Sequence, residues 1–238
     1  MSKKLKIIIF LFFISFEAYS RHIVFDLDWT LFYISSQESF QIDQKDVFQY
    51  NGTYYRLAPG AIDLLNTLTE LGFQISFFSG GDYQRNQYLI HQVRLLARNQ
   101  NKNINIYKTL HFHHLTSKSD LPGLRFTQRW SKDLKKIHSD LSQIILVDDI
   151  AQFSMPEQQS NLMHLDRTYN DFPNYTSRAS TNDPEFDPPN LIEWYKERNK
   201  LYAVLDRLLA LDSKRSVQDQ LPQLMKREVC RFIFLSHD

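Results

Sequence analysis

The chain has a single cysteine, Cys230, so no disulfide can close within it. Its stability must come from core burial, which a chain of 238 residues can supply. Cys230 lies in the apolar stretch Val229 to Leu235. With no second cysteine and no catalytic pattern nearby, it reads as a core residue and not a nucleophile. A charge excess is also missing: 28 Lys and Arg face 27 Asp and Glu, leaving +1. That excludes the electrostatic footprint of a nucleic-acid binder or of a protein drawn to anionic membranes. No apolar run approaches the ~20 residues needed to cross a bilayer. No internal repeat or low-complexity tract is present, which sets aside repeat architectures.

What is there describes an ordinary globular protein. Hydrophobic residues make up 42% and charged residues 23%, and 18 Phe with 12 Tyr allow a large core. The length fits one α/β domain with additions. The N-terminus has its own pattern. Lys3, Lys4 and Lys6 precede the apolar Ile7–Phe16, and Ala18 and Ser20 place small residues before Arg21. This is the layout of a secretory signal peptide over 1–20. The expectation is an exported protein, periplasmic or secreted, whose mature chain starts at Arg21.

Ile23-Val24-Phe25 predicts a buried strand ending in the polar turn Asp26-Leu27-Asp28-Trp29-Thr30. Two runs around Asn51-Gly52 predict a hairpin over 47–56 with a type I′ turn. A helix follows Pro59-Gly60, with Ile62, Leu65, Leu68 and Leu71 on one face, and Gly72 stops it. Phe73–Phe78 predicts a second buried strand, ending at Ser79-Gly80-Gly81. Asp82 then caps a helix to about Arg98. Ile104–Tyr107 suggests a short strand, and Ser131–Leu134 the start of a short helix. Ile144–Val147 predicts a third buried strand, ending in Asp148-Asp149, and Leu162–Leu165 a fourth. The proline-rich stretch 166–190 reads as a surface loop. Helices are expected over Leu191–Leu211 and about Leu221–Phe234. Beyond residue 20, the chain reads as one domain, 21–238, with a helical extension at 191–235.

Continuously apolar strands alternating with helices imply a parallel sheet covered on both faces. Ligands bind beyond the carboxyl ends of such strands. Asp26 with Asp28, Ser79-Gly80-Gly81, and Asp148 with Asp149 all fall there. Converging carboxylates repel and raise one another's pKa. A divalent cation relieves this, and Mg2+ prefers such oxygen ligands.

Singly, each motif has an ordinary explanation: a surface turn, a helix cap, a solvated lysine. Their order and strand context decide otherwise. Asp26-x-Asp28-x-Thr30, then Ser79, Lys132 and Asp148-Asp149, resembles the four motifs of the haloacid dehalogenase-like (HAD) superfamily. Trp130-Ser131-Lys132-Asp133-Leu134 before the third strand is similar to its branch of RNA polymerase C-terminal-domain small phosphatases and Dullard-like (NLI-interacting-factor) proteins. The resemblance covers roughly residues 22–165.

The resemblance implies a Rossmann-like three-layer α/β/α sandwich and a phosphatase with an aspartyl-phosphate intermediate. It makes Asp26 the nucleophile. Asp28 becomes the acid and base, its main-chain carbonyl reaching the metal. Thr30, Ser79 and Gly80 meet the phosphoryl oxygens, and Lys132 pairs with nucleophile and phosphate. Asp26, Asp28, Asp148 and Asp149 make up the Mg2+ site. Two positions depart from the branch. Asp149 stands where Asn is usual, and the bulky Trp29 stands where Glu or Gly is common, either stacking on substrate or packing. The gaps around Ser79 are too short for a cap domain, so hairpin 47–56 is expected as a small flap over an open site. The expected partner is a phosphorylated substrate, protein or small molecule. A binding protein that keeps the fold without turnover, or a phosphotransferase passing the group to an alcohol, would use the same residues. His111-x-His113-His114 lacks the partner spacing of a zinc site and reads as a solvated loop.

Overall fold

The computed structural model describes residues 21–35, 47–165, 169 and 187–227. The expected signal segment, Cys230, most of the 166–190 loop and the end of the last expected helix lie outside these residues. Five parallel strands form the central sheet: β1 (His22–Phe25), β5 (Gln74–Phe78), β6 (Ile106–Leu110), β9 (Ile144–Asp148) and β10 (Leu162–His164). Their order is β10-β9-β1-β5-β6. The chain winds one way from β1 through β5 to β6, then returns to the other side for β9 and β10. The order therefore reverses at β1, and the crevice beyond its carboxyl end is where such sheets bind ligands.

The sheet is apolar on both faces because strand side chains alternate. Ile23, Phe25, Ile75, Phe77, Ile145 and Val147 point to one side. They meet Leu64, Leu65 and Leu68 of α1 (Ala61–Glu70), and Leu89, Ile90 and Val93 of α2 (Tyr83–Asn99). Leu201, Val204 and Leu208 of α4 (Leu191–Leu209) and Val217 and Leu221 of α5 (Val217–Met225) complete that cluster. Each such side chain removed from water contributes roughly 1.5–3 kcal/mol. Val24, Phe78, Ile144 and Leu146 point to the other side, against Leu115, Leu134 and Ile137. Short 3₁₀ turns at Phe112–His114, Leu134–Lys136 and Leu141–Gln143 lie in this second layer, making it thinner than the first.

A second sheet adds β2 (Phe32–Ser35), β3 (Val47–Tyr50) and β4 (Thr53–Leu57) in the order β2-β4-β3. Asn51 and Gly52 both have positive φ, 48° and 79°, as a type I′ turn requires. The hairpin is thus the outer part of a three-stranded sheet, and Tyr50 packs on Tyr88 of α2 with ring centroids 5.3 Å apart.

Two local expectations shift. The strand expected at 104–107 starts at Ile106 instead. Asn66 Oδ1 and Thr69 Oγ1 of α1 accept the backbone N–H groups of Asn103 and Asn105, at 2.9 and 3.2 Å. Those side chains hold the chain out of the ladder until Ile106. The helix expected from Ser131 is delayed too. Ser131 belongs to β8 (Trp130–Ser131), paired with β7 (Thr116–Ser117). The Lys132 N–H is donated to the Phe153 carbonyl at 2.7 Å. Only after Asp133, which accepts from the Lys135 N–H, does a single 3₁₀ turn begin. Between β7 and β8 lies the four-residue α3 (Phe126–Arg129). No helix among the described residues is long and apolar enough to cross a membrane.

Candidate active site

Asp26 follows β1, the strand at the reversal point. Its N–H continues the β ladder by donating to the Val147 carbonyl at 3.0 Å, which fixes it beside β9. The chain then leaves β geometry. The Leu27 carbonyl accepts from the N–H groups of Leu31 and Phe32, at 2.9 and 2.8 Å. Trp29 takes a left-handed φ of 58°. The turn sends the two carboxylates to different partners.

Asp26 turns to Lys132. The Lys132 Nζ donates to Asp26 Oδ1 at 2.7 Å and to Asp148 Oδ2 at 2.6 Å. Lys132 and Asp148 are fully buried, and Asp26 is nearly so. Burial works against the lysine charge, but the Asp148 and Asp26 carboxylates outweigh it and raise its pKa. The Ile150 N–H donates to Asp148 Oδ1 at 2.8 Å, which fixes that carboxylate from behind. The ring of Phe153 lies 5.0 Å from the Lys132 Nζ and closes the pocket on that side.

Asp28 turns to Arg85, a residue the sequence did not single out. The guanidinium forks onto Asp28 Oδ1 and Oδ2 at 2.9 and 2.8 Å and donates to Ser79 Oγ at 3.0 Å. Asp82 caps α2 by accepting the Arg85 N–H at 2.8 Å, so Arg85 is the third residue of that helix. Helical side chains lean toward their N-terminus, which brings this one back over the Ser79 loop. A Cβ on Gly81 would fall 1.9 Å from Arg85 Nη2, so only glycine leaves the guanidinium its path. Burial raises the Asp28 pKa, Arg85 pulls it back, and neighbouring Asp26 adds to the rise; burial prevails.

The other predicted residues sit around this centre. Thr30 is fully buried, and its hydroxyl faces Asp149 Oδ1 at 3.5 Å. Ser79, at the end of β5, accepts from the Gly81 N–H at 3.1 Å as well as from Arg85. Gly80 lies under the exposed ring of Phe126, whose edge would be 3.2 Å from an added Cβ. Trp29 packs edge-on against Tyr33, with centroids 6.3 Å apart, and its carbonyl accepts from Lys200 at 2.8 Å.

Asp26, Asp148 and Asp149 offer oxygen atoms within 4.8 Å of one another, a spacing suited to one cation. The Asp28 carboxylate, held by Arg85, lies outside this trio; its main-chain carbonyl is the atom the resemblance assigns to the metal. Burial, with Asp26 and Asp148, pushes Asp149 up to about 8. Burial chiefly lifts Asp148 to about 6, with Lys132 pulling it down and Asp26 adding to the rise. Asp148 and Asp149, lifted chiefly by burial, stand beside Asp26 and offer only oxygen donors, which fits a hard divalent ion.

Comparison with known proteins follows the same lines. A family model described as NLI interacting factor-like phosphatase matches residues 21–180, two thirds of the chain. Among solved structures, two of the RNA polymerase II CTD phosphatase Fcp1 are similar, each at 13% identity. The fission yeast protein bound to beryllium fluoride aligns with 86% of this chain and 55% of its own, at a TM-score of 0.46. The second aligns with 88% and 62%, at 0.48. This chain thus spans less than two thirds of either. An uncharacterized protein from Listeria monocytogenes serotype 4b aligns at 16% identity over 79% of this chain and 97% of its own, with a TM-score of 0.38. No curated protein matches. With the site residues set at the reversal point of a parallel α/β sheet, the matched segment makes this chain a member of the NLI interacting factor-like phosphatase family of the HAD superfamily.

Proposed function

We propose that the protein is a Mg2+-dependent phosphomonoester hydrolase acting through an aspartyl-phosphate on Asp26. One observation carries the reading: Lys132 ties Asp26 to Asp148 at 2.7 and 2.6 Å, while Arg85 holds Asp28 apart from them. Two carboxylates two residues apart are thereby given different environments, as different roles require.

A carboxylate oxygen of Asp26 attacks phosphorus in line with the ester oxygen. The P–O ester bond breaks, and the leaving oxygen takes a proton from Asp28. Asp28 then accepts a proton from water as that water attacks the phosphoryl group, releasing inorganic phosphate and free Asp26. Covalent catalysis divides the hydrolysis into two easier displacements. Lys132 and the N–H groups of the Ser79 loop stabilise charge on the transferring group. Asp26, Asp148 and Asp149, with the Asp28 carbonyl, would hold Mg2+. When bound, it would neutralise phosphoryl charge and orient the group.

The described residues contain no separate cap, which suits a phosphorylated protein side chain as well as a small phosphate ester. The basic, apolar and small-residue pattern of 1–20 supports export, with Arg21 as the mature N-terminus. The test is hydrolysis of p-nitrophenyl phosphate with and without a chelator, beside Asp148→Ala. The reading requires Mg2+-restored turnover that the variant loses. Folded wild-type protein inert toward aryl, alkyl and peptide phosphates would defeat it in favour of a silent binding protein.

A further inference from the structure

We propose that α4 belongs to the active site, with Lys200 as a positioning residue that fixes the backbone of the loop carrying Asp26 and Asp28. The inference rests on the phosphatase reading for its kinetic consequences, but not for its structural ones.

Lys200 lies beyond the segment that defines the family, which ends at 180. Its side chain is only 10% exposed, and its ammonium donates to the Trp29 carbonyl at 2.8 Å. Glu197, one turn earlier on α4, aims it: Lys200 Nζ and Glu197 Oε1 are 2.6 Å apart. Glu197 is itself buried and fixed from two more sides. The Tyr33 hydroxyl donates to its Oε1 at 2.7 Å, and the Tyr169 N–H to its Oε2 at 3.0 Å. Lys200 also lies over the Tyr33 ring, 4.6 Å from its centroid. Tyr33 begins only five residues past Asp28, so α4 grips the loop at both its turn and its exit.

This arrangement is poorly explained as a stability device. Leu201, Val204 and Leu208 already seat α4 in the core. A buried ion pair contributes little over an apolar pair of similar volume, because desolvation offsets its attraction. What the pair does supply is a directed donor at one carbonyl. Trp29 needs it: a bulky residue at φ 58° is strained, and such a conformation persists where its surroundings fix it. Trp29 sits between Asp28 and Thr30. Rotation of its peptide would shift the acid on one side and the Asp149 contact on the other.

The test compares full-length wild type with Lys200→Met and Lys200→Arg. Amide hydrogen exchange is followed over 27–33, with β5 as the internal control, beside steady-state kinetics on p-nitrophenyl phosphate. Lys200→Met should speed exchange at 29–33 but not in β5. It should lower kcat roughly ten- to a hundredfold, the scale of a small misplacement, with KM little changed. Lys200→Arg, which keeps a donor, should recover most of the loss. Wild-type exchange at 29–33 in Lys200→Met would overturn the proposal, whatever the kcat, and so would wild-type kcat beside faster exchange in an active enzyme. If the wild type proves inactive on every phosphate ester, the phosphatase reading fails while the exchange result still decides this one. Should Lys200→Met not fold, Tyr33→Phe removes the hydroxyl that fixes Glu197 and is judged by the same two outcomes.

Discussion

Arg85 grips Asp28 through both carboxylate oxygens, at 2.9 and 2.8 Å, from the third position of the helix that follows the Ser79 loop. The fork also reaches Ser79, so one side chain links the proposed acid to the proposed phosphoryl cradle. Arg85→Met should cost roughly a hundredfold in kcat/KM, the usual scale for losing a charged positioning group. Arg85→Lys should recover little, because an ammonium cannot span two oxygens in a plane. Wild-type kcat/KM in Arg85→Lys would show that the fork is dispensable.

The two glycines of the loop should respond unequally. A Cβ at Gly81 meets Arg85 Nη2 at 1.9 Å, whereas one at Gly80 meets the Phe126 ring edge at 3.2 Å. Gly81→Ala must displace the guanidinium and should lose activity on the scale of Arg85→Met. Gly80→Ala asks an exposed ring to yield by a few tenths of an ångström and should stay within about threefold of wild type. Kinetics of the two variants side by side check this; equal losses would remove the argument from Arg85.

Lys132 is fully buried between two carboxylates. Lys132→Met leaves Asp26 and Asp148 facing each other without their cation. Breaking such a buried pair costs about 3–5 kcal/mol. Urea unfolding at neutral pH in a metal-free buffer should show a loss of that order, with the slope unchanged. A variant as stable as wild type would mean that the lysine does not offset the carboxylate charge.

The sheet and its strand ends were legible because buried parallel strands are short apolar runs, and the polar residues closing them stand out. Asp26, Asp28, Asp148 and Asp149 stand out that way and Lys132 only through the family resemblance, and the fold brings all five to one crevice. Arg85 does not stand out, since an arginine in the first turn of a polar helix looks like a solvated one. Its signal was local: Gly80-Gly81 followed by the capping Asp82 places residue 85 above a backbone with no Cβ. Lys200 and Glu197 carry no such signal. A charged pair three apart on a helix reads as exposed surface, and only the packing of α4 on the Trp29–Tyr33 turn buries it. The start of β6 is hidden for a related reason: Asn66 and Thr69, distant in sequence, accept the backbone N–H groups of Asn103 and Asn105.

His22 gives the fold an acid-sensitive point at the opposite end of β1 from the site. Its ring is buried and stacked on His138, centroids 4.1 Å apart, with Tyr107 edge-on at 5.2 Å. Burial, and then His138, push its pKa down from 6.5 to about 4. The unfolded chain therefore binds a proton that the folded one refuses between those values. The stability is fully present above pH 6.5 and is lost as pH falls toward 4. The loss attributable to His22 is on the order of 3 kcal/mol. Thermal melts between pH 7 and 4 should show a steeper fall for wild type than for His22→Phe, which keeps a ring on His138. Parallel curves would assign the acid sensitivity elsewhere.

The central claim is that Asp26 carries the phosphoryl group. An activated aryl ester needs little protonation of its leaving group, so Asp28→Asn should still form the intermediate yet lose the base that breaks it down. Rapid acid quench of that variant with a radiolabelled aryl phosphate, followed by peptide mapping, tests the claim most directly. The account predicts label on the peptide bearing Asp26, accompanied by a burst of released phenol, and no label when Asp26→Asn is added. Turnover in wild type with label on another residue, or with no labelled protein in the Asp28→Asn variant, would contradict it.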